Sequence, residues 1–314
     1  MKYWVGVTDN HWFNFLSEKR FEEVNFWQPS ATPAFNPANV PTGMPFLFKL
    51  KRPHNHIAGG GFFITFSILP LPLAWEVFGE KNGASSIEEF RELVEPLASG
   101  HRKPDADIGC SVLANPFFLD PSHWISDPPG WASNIVRGKM FDSTTTEGQH
   151  IWDRVRSHLE FRVEPNNLEV NSISVIHEQS SKYGSPISVR PRLGQSSFRI
   201  LVTEAYKRKC AITGESTLIA LEAAHIVPYS KDSNHDVRNG LLLRADFHRL
   251  FDVGLVSVTP DLQIRISPRI REAWFNGKIY YRLDKQPLAV LPDKHELRPD
   301  PDRLEWHYKN VFQS

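Results

Sequence analysis

The chain has 314 residues, of which 40% are hydrophobic and 12% aromatic, enough to bury sizeable cores and long enough for two domains. Its 36 Lys and Arg residues balance 36 Asp and Glu residues, so no overall charge attracts it to nucleic acid. It has no apolar run of roughly 18 residues and no signal-peptide pattern at its start, so we expect a cytoplasmic protein without membrane spans. Its two cysteines, Cys110 and Cys210, exclude a disulfide framework.

The first hundred residues predict a β-rich unit with short helices. Alternating apolar residues predict strands at 3–8 and 46–51, and a third at 62–69, after the triple glycine 59–61. Such glycines permit either a tight turn or a close backbone approach to a ligand. Apolar spacing predicts one helix within 10–23 and another after Ser86.

The following block completes this first domain. We expect strands at 111–113 and 134–139 and a helix over 147–158. Arg137 and Lys139 are either phosphate contacts or solvated surface residues. The turn-rich stretch 166–190 predicts a linker between a domain at 1–165 and a second domain at 191–314.

The second domain contains three polar residues whose local structures belong together. The apolar run 218–224 predicts a strand that ends at His225, and the turn dipeptide at Asn239 leads into a second strand. Residues 245–252 are helical in their apolar spacing and leave His248 on the remaining face. This order of strand, loop, strand and helix brings the two imidazoles opposite each other.

Two imidazoles in this arrangement suggest hydrolysis. A neutral imidazole can take a proton from water, because its reference pKa lies close to neutral pH. A second imidazole on a helix is a good ligand for a divalent cation. A cation beside a phosphodiester offsets the charge that builds on the leaving oxygen.

The stretches LEAAHIVPYS and VRNGLLLRADFHRLFD resemble the ββα-metal motif of HNH nucleases. The element C-x-x-T-G at 210–214 is similar to the subgroup found in bacterial restriction-type proteins. The resemblance implies His225 as general base and His248 as metal ligand, with Asn239 tying the loop together and orienting the base. It also implies a divalent cofactor, which we expect to be Mg²⁺, with Mn²⁺, Co²⁺ or Ni²⁺ as substitutes.

The chain departs from the family at the residue before the base. Many members have an Asp or His there that also binds the metal, whereas this chain has Ala224. Strand alternation puts Glu222 on the same face as Ala224, so we expect Glu222 to replace that ligand. Many relatives also carry zinc knuckles of paired cysteines, but only Cys210 lies nearby, and no structural zinc is expected.

Two nearby residues admit more than one interpretation. Asp252 either orients the His248 ring or is an exposed carboxylate at the helix end. His235 is interpreted as a solvated loop residue rather than a ligand. A single histidine after a strand is usually a satisfied core or turn residue, but three residues at the family's spacing with matching flanks favour the nuclease interpretation.

The stretches YWVGVTD, PFLFKLK and IAGGGFF are similar to the PUA-like group of domains, which includes EVE and SRA-type modules. The resemblance implies a β-barrel with flanking helices that flips a modified base into an aromatic pocket. Candidates for stacking on the base are Trp12, Trp27 and Trp75. The competing interpretation of each tryptophan is that it only fills the core. Asp9 or Asn25 is a candidate for reading a base edge.

Basic and amide side chains near the second domain are candidate DNA backbone contacts. They are Arg192, Gln195, Arg199 and Lys207. Residues 186–253 contain ten Lys or Arg and seven Asp or Glu residues. The net charge of this segment is therefore positive, as phosphate binding requires. Solvation of a helix surface is the competing interpretation.

Taken together, the sequence predicts an α+β protein: a PUA-like barrel followed by an HNH nuclease domain. The expected function is restriction of double-stranded DNA that carries 5-methylcytosine or 5-hydroxymethylcytosine. Each nuclease site cuts one strand, so a double-strand break requires a homodimer or two successive events. The alternatives are an HNH nuclease for repair or mobile-element cleavage without modification dependence, and a catalytically degenerate DNA-binding protein.

Overall fold

The computed structural model describes residues 1–97, 105–127, 131–132, 134–161, 193–232, 235–274 and 277–314. These residues separate into two compact units, Met1–Gly194 and Gln195–Ser314. Both units combine strands with helices, which confirms the predicted α+β class. The linker predicted at 166–190 lies outside the described residues, so the domain boundaries at 165 and 191 stay predictions. No helix in the described ranges is long and apolar enough to cross a membrane.

The first unit is built on one seven-stranded sheet. Its strands are β1 (Lys2–Thr8), β2 (Glu23–Gln28), β3 (Pro45–Leu50), β4 (His56–Pro70), β5 (Asp107–Phe118), β6 (Ile125–Ser126) and β7 (Gly138–Asp142). Six strands follow the order β2-β5-β4-β3-β1-β7, and β6 pairs with β4. Only β1 and β3 run parallel among these pairs of the described residues. The end strands β2 and β7 are not paired with each other in this part of the chain, so the predicted PUA-like barrel is not confirmed.

Four α-helices accompany this sheet in the described part of the unit. They are α1 (Asn10–Ser17), α2 (Leu71–Phe78), α3 (Ile87–Val94) and α4 (Thr146–Phe161). Helix α1 starts after Asp9, whose carboxylate accepts hydrogen bonds from the backbone N–H groups of His11 and Trp12. It ends before the predicted limit because the chain from Glu23 onward pairs with β5. Helix α3 begins after Ser86, as predicted.

The triple glycine lies inside β4 and not in a turn between two strands. A Cβ on Gly60 would lie 2.7 Å from the carbonyl oxygen of Phe46 in β3, and one on Gly59 would lie closer still to the carbonyl oxygen of Phe117 in β5. Glycine therefore lets β4 approach both neighbouring strands. The triple glycine therefore permits a close approach of neighbouring strands, and not the tight turn or the approach to a ligand that the sequence suggested.

Alternation along β1 and β3 divides the apolar residues between two faces of the sheet. Trp4, Phe46 and Phe48 belong to one core cluster, and Tyr3, Val5 and Leu47 belong to another. The first cluster is rich in aromatic rings and borders the cavity described below.

The second unit contains two separate two-stranded antiparallel sheets and six helices in its described residues. The strands are β8 (Leu221–His225), β9 (Gly240–Arg244), β10 (Val256–Val258) and β11 (Ile264–Ile266). The helices are α5 (Gln195–Ala205), α6 (Tyr229–Asp232), α7 (Ala245–Asp252), α8 (Arg269–Trp274), α9 (Lys278–Tyr281) and α10 (Pro301–Asn310). One core joins α5, the β8–β9 hairpin, α7 and the β10–β11 hairpin.

The two strands and the helix predicted around His225, Asn239 and His248 are present in this unit. Helix α7 has the predicted limits. Strands β10 and β11 form an antiparallel hairpin. Strand β8 starts later than expected because Leu218–Ala220 form a 3₁₀ turn. The short helix α9 was not predicted.

His307 fastens α10 to the core. Its Nδ1 lies 2.9 Å from the Ser257 hydroxyl, its Nε2 donates to the carbonyl oxygen of Phe251 at 3.1 Å, and its ring stacks on the Phe251 ring. Only 2% of the residue is exposed. Burial lowers the pKa of His307 to about 4, although the Phe251 carbonyl opposes the shift.

We expect this histidine to make the second unit less stable in acid. Between pH 6.5 and 4 an unfolded chain binds a proton at His307 that the folded chain does not bind, so the free energy of unfolding falls as pH falls. Each pKa unit corresponds to about 1.4 kcal/mol, so the full window is worth about 3 kcal/mol. Urea unfolding of the wild type and of His307→Gln at pH 7 and at pH 4.5 measures this effect. The variant should lose less stability on acidification, and equal losses in both proteins would contradict the assignment.

Candidate active site

The β8–β9 hairpin and α7 position the three predicted site residues. His225 ends β8 opposite Gly240, the first residue of β9, and Asn239 immediately precedes β9. His248 lies in the middle of α7, which packs against both strands. The charge of His248 acts on His225 strongly enough to influence its pKa. The two imidazoles are therefore near enough for their charges to interact.

Asn239 is fully buried and ties together the loop that follows His225. Its Oδ1 accepts a hydrogen bond from the Val227 N–H at 2.8 Å, and its Nδ2 donates to the Val227 carbonyl at 2.9 Å. Its own carbonyl oxygen accepts from the N–H of Ile226 at 2.9 Å. The two residues after His225 are thereby held in place.

Replacing Asn239 by alanine should destabilise this loop. The substitution leaves the buried N–H and C=O of Val227 without their partner, and each such group costs about 1–3 kcal/mol. We expect the thermal unfolding temperature to fall and cleavage to drop at temperatures where the variant is still folded. If the variant keeps wild-type stability and activity, the two hydrogen bonds do not organise the site.

The imidazole of His225 is held face-on by an aromatic ring. It stacks on Phe198 of α5 with ring centroids 3.9 Å apart and an angle of 11° between the planes. Burial is the largest cause that lowers the pKa of His225 to about 4. The charges of His235 and His248 lower it further, and Asp232 opposes them. At neutral pH His225 is therefore uncharged and able to accept a proton.

His235 lies beside His225, a neighbour that the sequence did not reveal. Nδ1 of His235 is 3.3 Å from Nε2 of His225, and the ring of Tyr229 stacks on His235 with centroids 4.3 Å apart. The sequence placed His235 in a solvated loop because its spacing follows no local pattern. Only the return of the loop between β8 and β9 brings it to the site.

Two carboxylates flank the imidazole of His248. Nδ1 lies 2.6 Å from Oε2 of Glu222, and Nε2 lies 3.4 Å from Oδ2 of Asp252. The side chains of Glu222 and Asp252 are 41% and 57% exposed, so this cluster is open to a ligand from solvent. The pKa of Asp252 is raised, first by burial and also by the charge of Glu222, against the effect of His248.

The donor set of this cluster suits a divalent cation. Carboxylate oxygen and imidazole nitrogen are both suitable ligands, and the concentration of negative charge around one ring favours a cation. Among the described residues, no group of three or more His, Cys, Asp or Glu side chains has an arrangement that could hold a metal by itself. A cation bound here would therefore need water or phosphate oxygen to complete its coordination.

The first unit contains a cavity of about 450 Å³. Aromatic residues supply much of its lining: Trp4, Trp12, Phe26, Trp27, Phe35 and Phe46. Asp9, Lys51 and Arg137 add charged groups. Pockets that bind small molecules commonly have this size and mixture of apolar walls with a few polar groups.

Three of the five candidate pocket residues, Asp9, Trp12 and Trp27, line this cavity, but their polar groups already have partners. The Trp12 indole N–H donates to the carbonyl of Asn25, and that of Trp27 donates to the carbonyl of Asn82. Asp9 caps α1 and accepts from Lys51 at 2.9 Å. Burial would raise the pKa of Asp9, but Lys51 and the amides of α1 hold it below its usual value.

The other two candidates lie apart from the lining of this cavity. Trp75 lies on α2, 6.1 Å from the Phe90 ring, and is not among the lining residues. Asn25 is fully buried and donates to the side chain of Asn82 at 2.8 Å.

The predicted backbone contacts are only partly described. Gln195 and Arg199 belong to α5, the helix that also supplies Phe198. Lys207 forms an ion pair with Asp293 at 2.7 Å. Arg192 lies outside the described residues.

Residues 210–259 match the sequence profile of the HNH endonuclease family, HNH_2. The match spans β8, β9, α7 and β10 and includes His225, Asn239 and His248. The chain therefore contains an HNH endonuclease domain, and the protein is a DNA endonuclease. HNH nucleases generally depend on a divalent metal ion.

A search of curated proteins finds no match to this chain. Among solved structures, two variants of ZmASCH from Zymomonas mobilis align with TM-scores of 0.25 and 0.29 and identities of 11% and 10%. They cover 37% and 48% of this chain and 76% and 95% of their own. The modification dependent TagI restriction endonuclease aligns with a TM-score of 0.30 and 12% identity, over 93% of this chain and 76% of its own.

Proposed function

We propose that the protein is a modification-dependent restriction endonuclease. The second unit hydrolyses a phosphodiester bond of double-stranded DNA. The first unit, as a PUA-like module, takes a flipped modified base, 5-methylcytosine or 5-hydroxymethylcytosine, into its aromatic cavity. The proposal rests on the ββα arrangement of His225, Asn239 and His248 within a chain that also carries a separate cavity of nucleobase-binding character.

In the nuclease unit, His225 is the general base that removes a proton from the attacking water. Its lowered pKa keeps it neutral at physiological pH, and Phe198 fixes the plane of its ring. Asn239 keeps the backbone after His225 in position through its two bonds to Val227. Cleavage should therefore be sensitive to substitution of His225 or Asn239.

Glu222 and His248 would hold the divalent cation, with Mg²⁺ as the expected ion and Mn²⁺, Co²⁺ or Ni²⁺ as substitutes. The ion supplies electrostatic stabilisation of the negative charge that develops on the phosphate and the leaving oxygen. Nδ1 of His248 faces Glu222, and Nε2 of the same ring faces the carboxylate of Asp252. Asp252 thus orients the imidazole, the first of the two roles considered for it.

The cavity of the first unit supports recognition of a base outside the duplex. A flipped base needs ring faces to stack on and a few polar groups along its edge. The rings of Trp4 and Phe35, whose centroids are 5.2 Å apart, offer such faces, as does the half-buried Trp27. Arg137, which also lines the cavity, is a candidate phosphate contact at this site.

We further propose that the DNA backbone runs past α5, where Gln195 and Arg199 lie on the helix that supports His225. Arg192 and Lys207 extend this basic stretch along the sequence. One site cuts one strand, so a homodimer or two successive events would complete a double-strand break.

Digestion of matched DNAs tests the proposal. Otherwise identical duplexes would carry unmodified cytosine, 5-methylcytosine, 5-hydroxymethylcytosine or N6-methyladenine, and cleavage would be followed with Mg²⁺ and with EDTA. We expect cleavage in Mg²⁺ of the DNA with a modified cytosine, at least about tenfold faster than of unmodified DNA. Equal cleavage of all four duplexes would overturn modification dependence and favour the repair or mobile-element alternative.

A further inference from the structure

The loop between β8 and β9 contains a second histidine that the proposed mechanism leaves without a role. His235 approaches His225 so that Nδ1 of the former lies 3.3 Å from Nε2 of the latter. This distance is within reach of an N–H···N hydrogen bond. It occupies one of the two nitrogens of His225 and leaves Nδ1 of that ring for water.

Both imidazoles are packed by aromatic rings. Phe198 stacks on His225, and Tyr229 stacks on His235 at an interplanar angle of 14°. His235 is itself half-buried and Tyr229 is 40% exposed, so the His235 end of the pair borders solvent. The pair therefore leads from the half-buried ring of His225 towards the surface.

Two aspartates near His235 in the sequence form ion pairs with a single arginine. Arg303 of α10 lies 2.8 Å from Oδ2 of Asp232 and 3.1 Å from Oδ2 of Asp236. These two aspartates lie on either side of His235 in the sequence. The side chain of Arg303 is only 18% exposed, so the ion pairs are better shielded from water than ordinary surface pairs. His235 is thus held beside His225 by structure outside the matched range 210–259.

The chemistry of His225 explains why a neighbour of this kind is needed. Burial, and then the charges of His235 and His248, lower the pKa of His225 to about 4. A base of such low pKa is uncharged at neutral pH and can accept a proton, but its protonated form is unstable there. A nearby group that takes up the proton lowers this penalty.

We propose that His235 is a proton-relay residue that acts through His225, an inference that rests on the proposed role of His225 as base. As water attacks, its proton goes to Nδ1 of His225, and the proton already on Nε2 of His225 passes to Nδ1 of His235. His225 stays neutral, and His235 becomes an imidazolium that releases the proton on its Nε2 to solvent. Exchange with water after product release restores the starting tautomers.

Single-turnover cleavage by His235→Ala and His235→Gln tests the relay, with the exposed His295→Ala as the matched control. The glutamine retains a hydrogen-bonding group of similar reach, but its amide cannot take up a proton and become charged at neutral pH. We expect both His235 variants to cleave about tenfold more slowly or worse, with unchanged DNA binding and thermal stability. Added imidazole should accelerate His235→Ala and leave the wild type and His295→Ala unaffected.

Three results would overturn the relay: wild-type rates in His235→Ala, full activity in His235→Gln, or no response of His235→Ala to imidazole. Full activity in His235→Gln would mean that His235 only positions its neighbour. His225→Ala, assayed in parallel, separates this failure from that of the proposed function. If His225→Ala is inactive while the His235 variants are normal, only the relay is wrong. If His225→Ala also cleaves normally, the proposed base is wrong.

Discussion

Replacing His225 by alanine should lower the rate of DNA cleavage about a thousandfold or more, since a positioned general base contributes about 10²–10⁴-fold. The ring lies at the end of β8, neutral and stacked on Phe198, and its loss removes the only base that we assign to the nuclease unit. Alanine leaves no unsatisfied buried hydrogen-bond partner comparable to those of Asn239. We therefore expect the fold and DNA binding to survive, and only the chemical step to fail.

The measurement is single-turnover cleavage of a labelled duplex at saturating enzyme, together with an equilibrium binding assay on the same duplex. His295→Ala is the matched control because it removes an exposed histidine from the same unit. The control should cleave like the wild type. A His225→Ala enzyme that cleaves at the wild-type rate would show that another group is the base.

Glu222→Gln and His248→Ala should each abolish or severely weaken binding of a divalent cation. Loss of an outer partner of a metal ligand typically costs about 10- to 100-fold in affinity, and loss of a ligand should cost at least as much. The glutamine keeps the size of Glu222 but removes its charge, so the effect isolates the carboxylate. Calorimetric titration of the DNA-free protein with Mn²⁺ measures the affinity without dependence on cleavage.

Asp252→Asn is the matched comparison for these two variants. Its carboxylate approaches the same imidazole at 3.4 Å, compared with 2.6 Å for Glu222. If it only orients the ring, Mn²⁺ affinity should fall less than in Glu222→Gln. A loss as large as that of Glu222→Gln would make Asp252 a ligand, and wild-type affinity in Glu222→Gln would remove Glu222 from the site.

The ββα unit could be predicted because its signals are local. An apolar run that ends at a histidine, a turn dipeptide at Asn239 and a helical spacing around His248 are each confined to a few residues. Alternation along β8 also placed Glu222 on the face of Ala224, and in the structure Glu222 reaches His248. Strand periodicity alone does not predict that Glu222 contacts His248, because this contact depends on how α7 packs against the hairpin.

The rest depended on contacts between distant parts of the chain. His235 lies beside His225 in a segment whose two neighbouring aspartates, Asp232 and Asp236, form ion pairs with Arg303, far along the sequence. The glycines of β4 are required by the close approach of β3 and β5, which no local pattern reveals. The sequence does not distinguish Trp27 from Trp75 as an aromatic pocket candidate, but in the structure Trp27 lines the cavity and Trp75 packs near Phe90.

The most direct test of the metal-dependent mechanism is anomalous X-ray scattering from crystals of the protein soaked in Mn²⁺. We expect one strong anomalous peak beside the carboxylate of Glu222 and the imidazole of His248. A peak at other residues, with none at this pair, would contradict the central claim that the pair holds the cation for the proposed base.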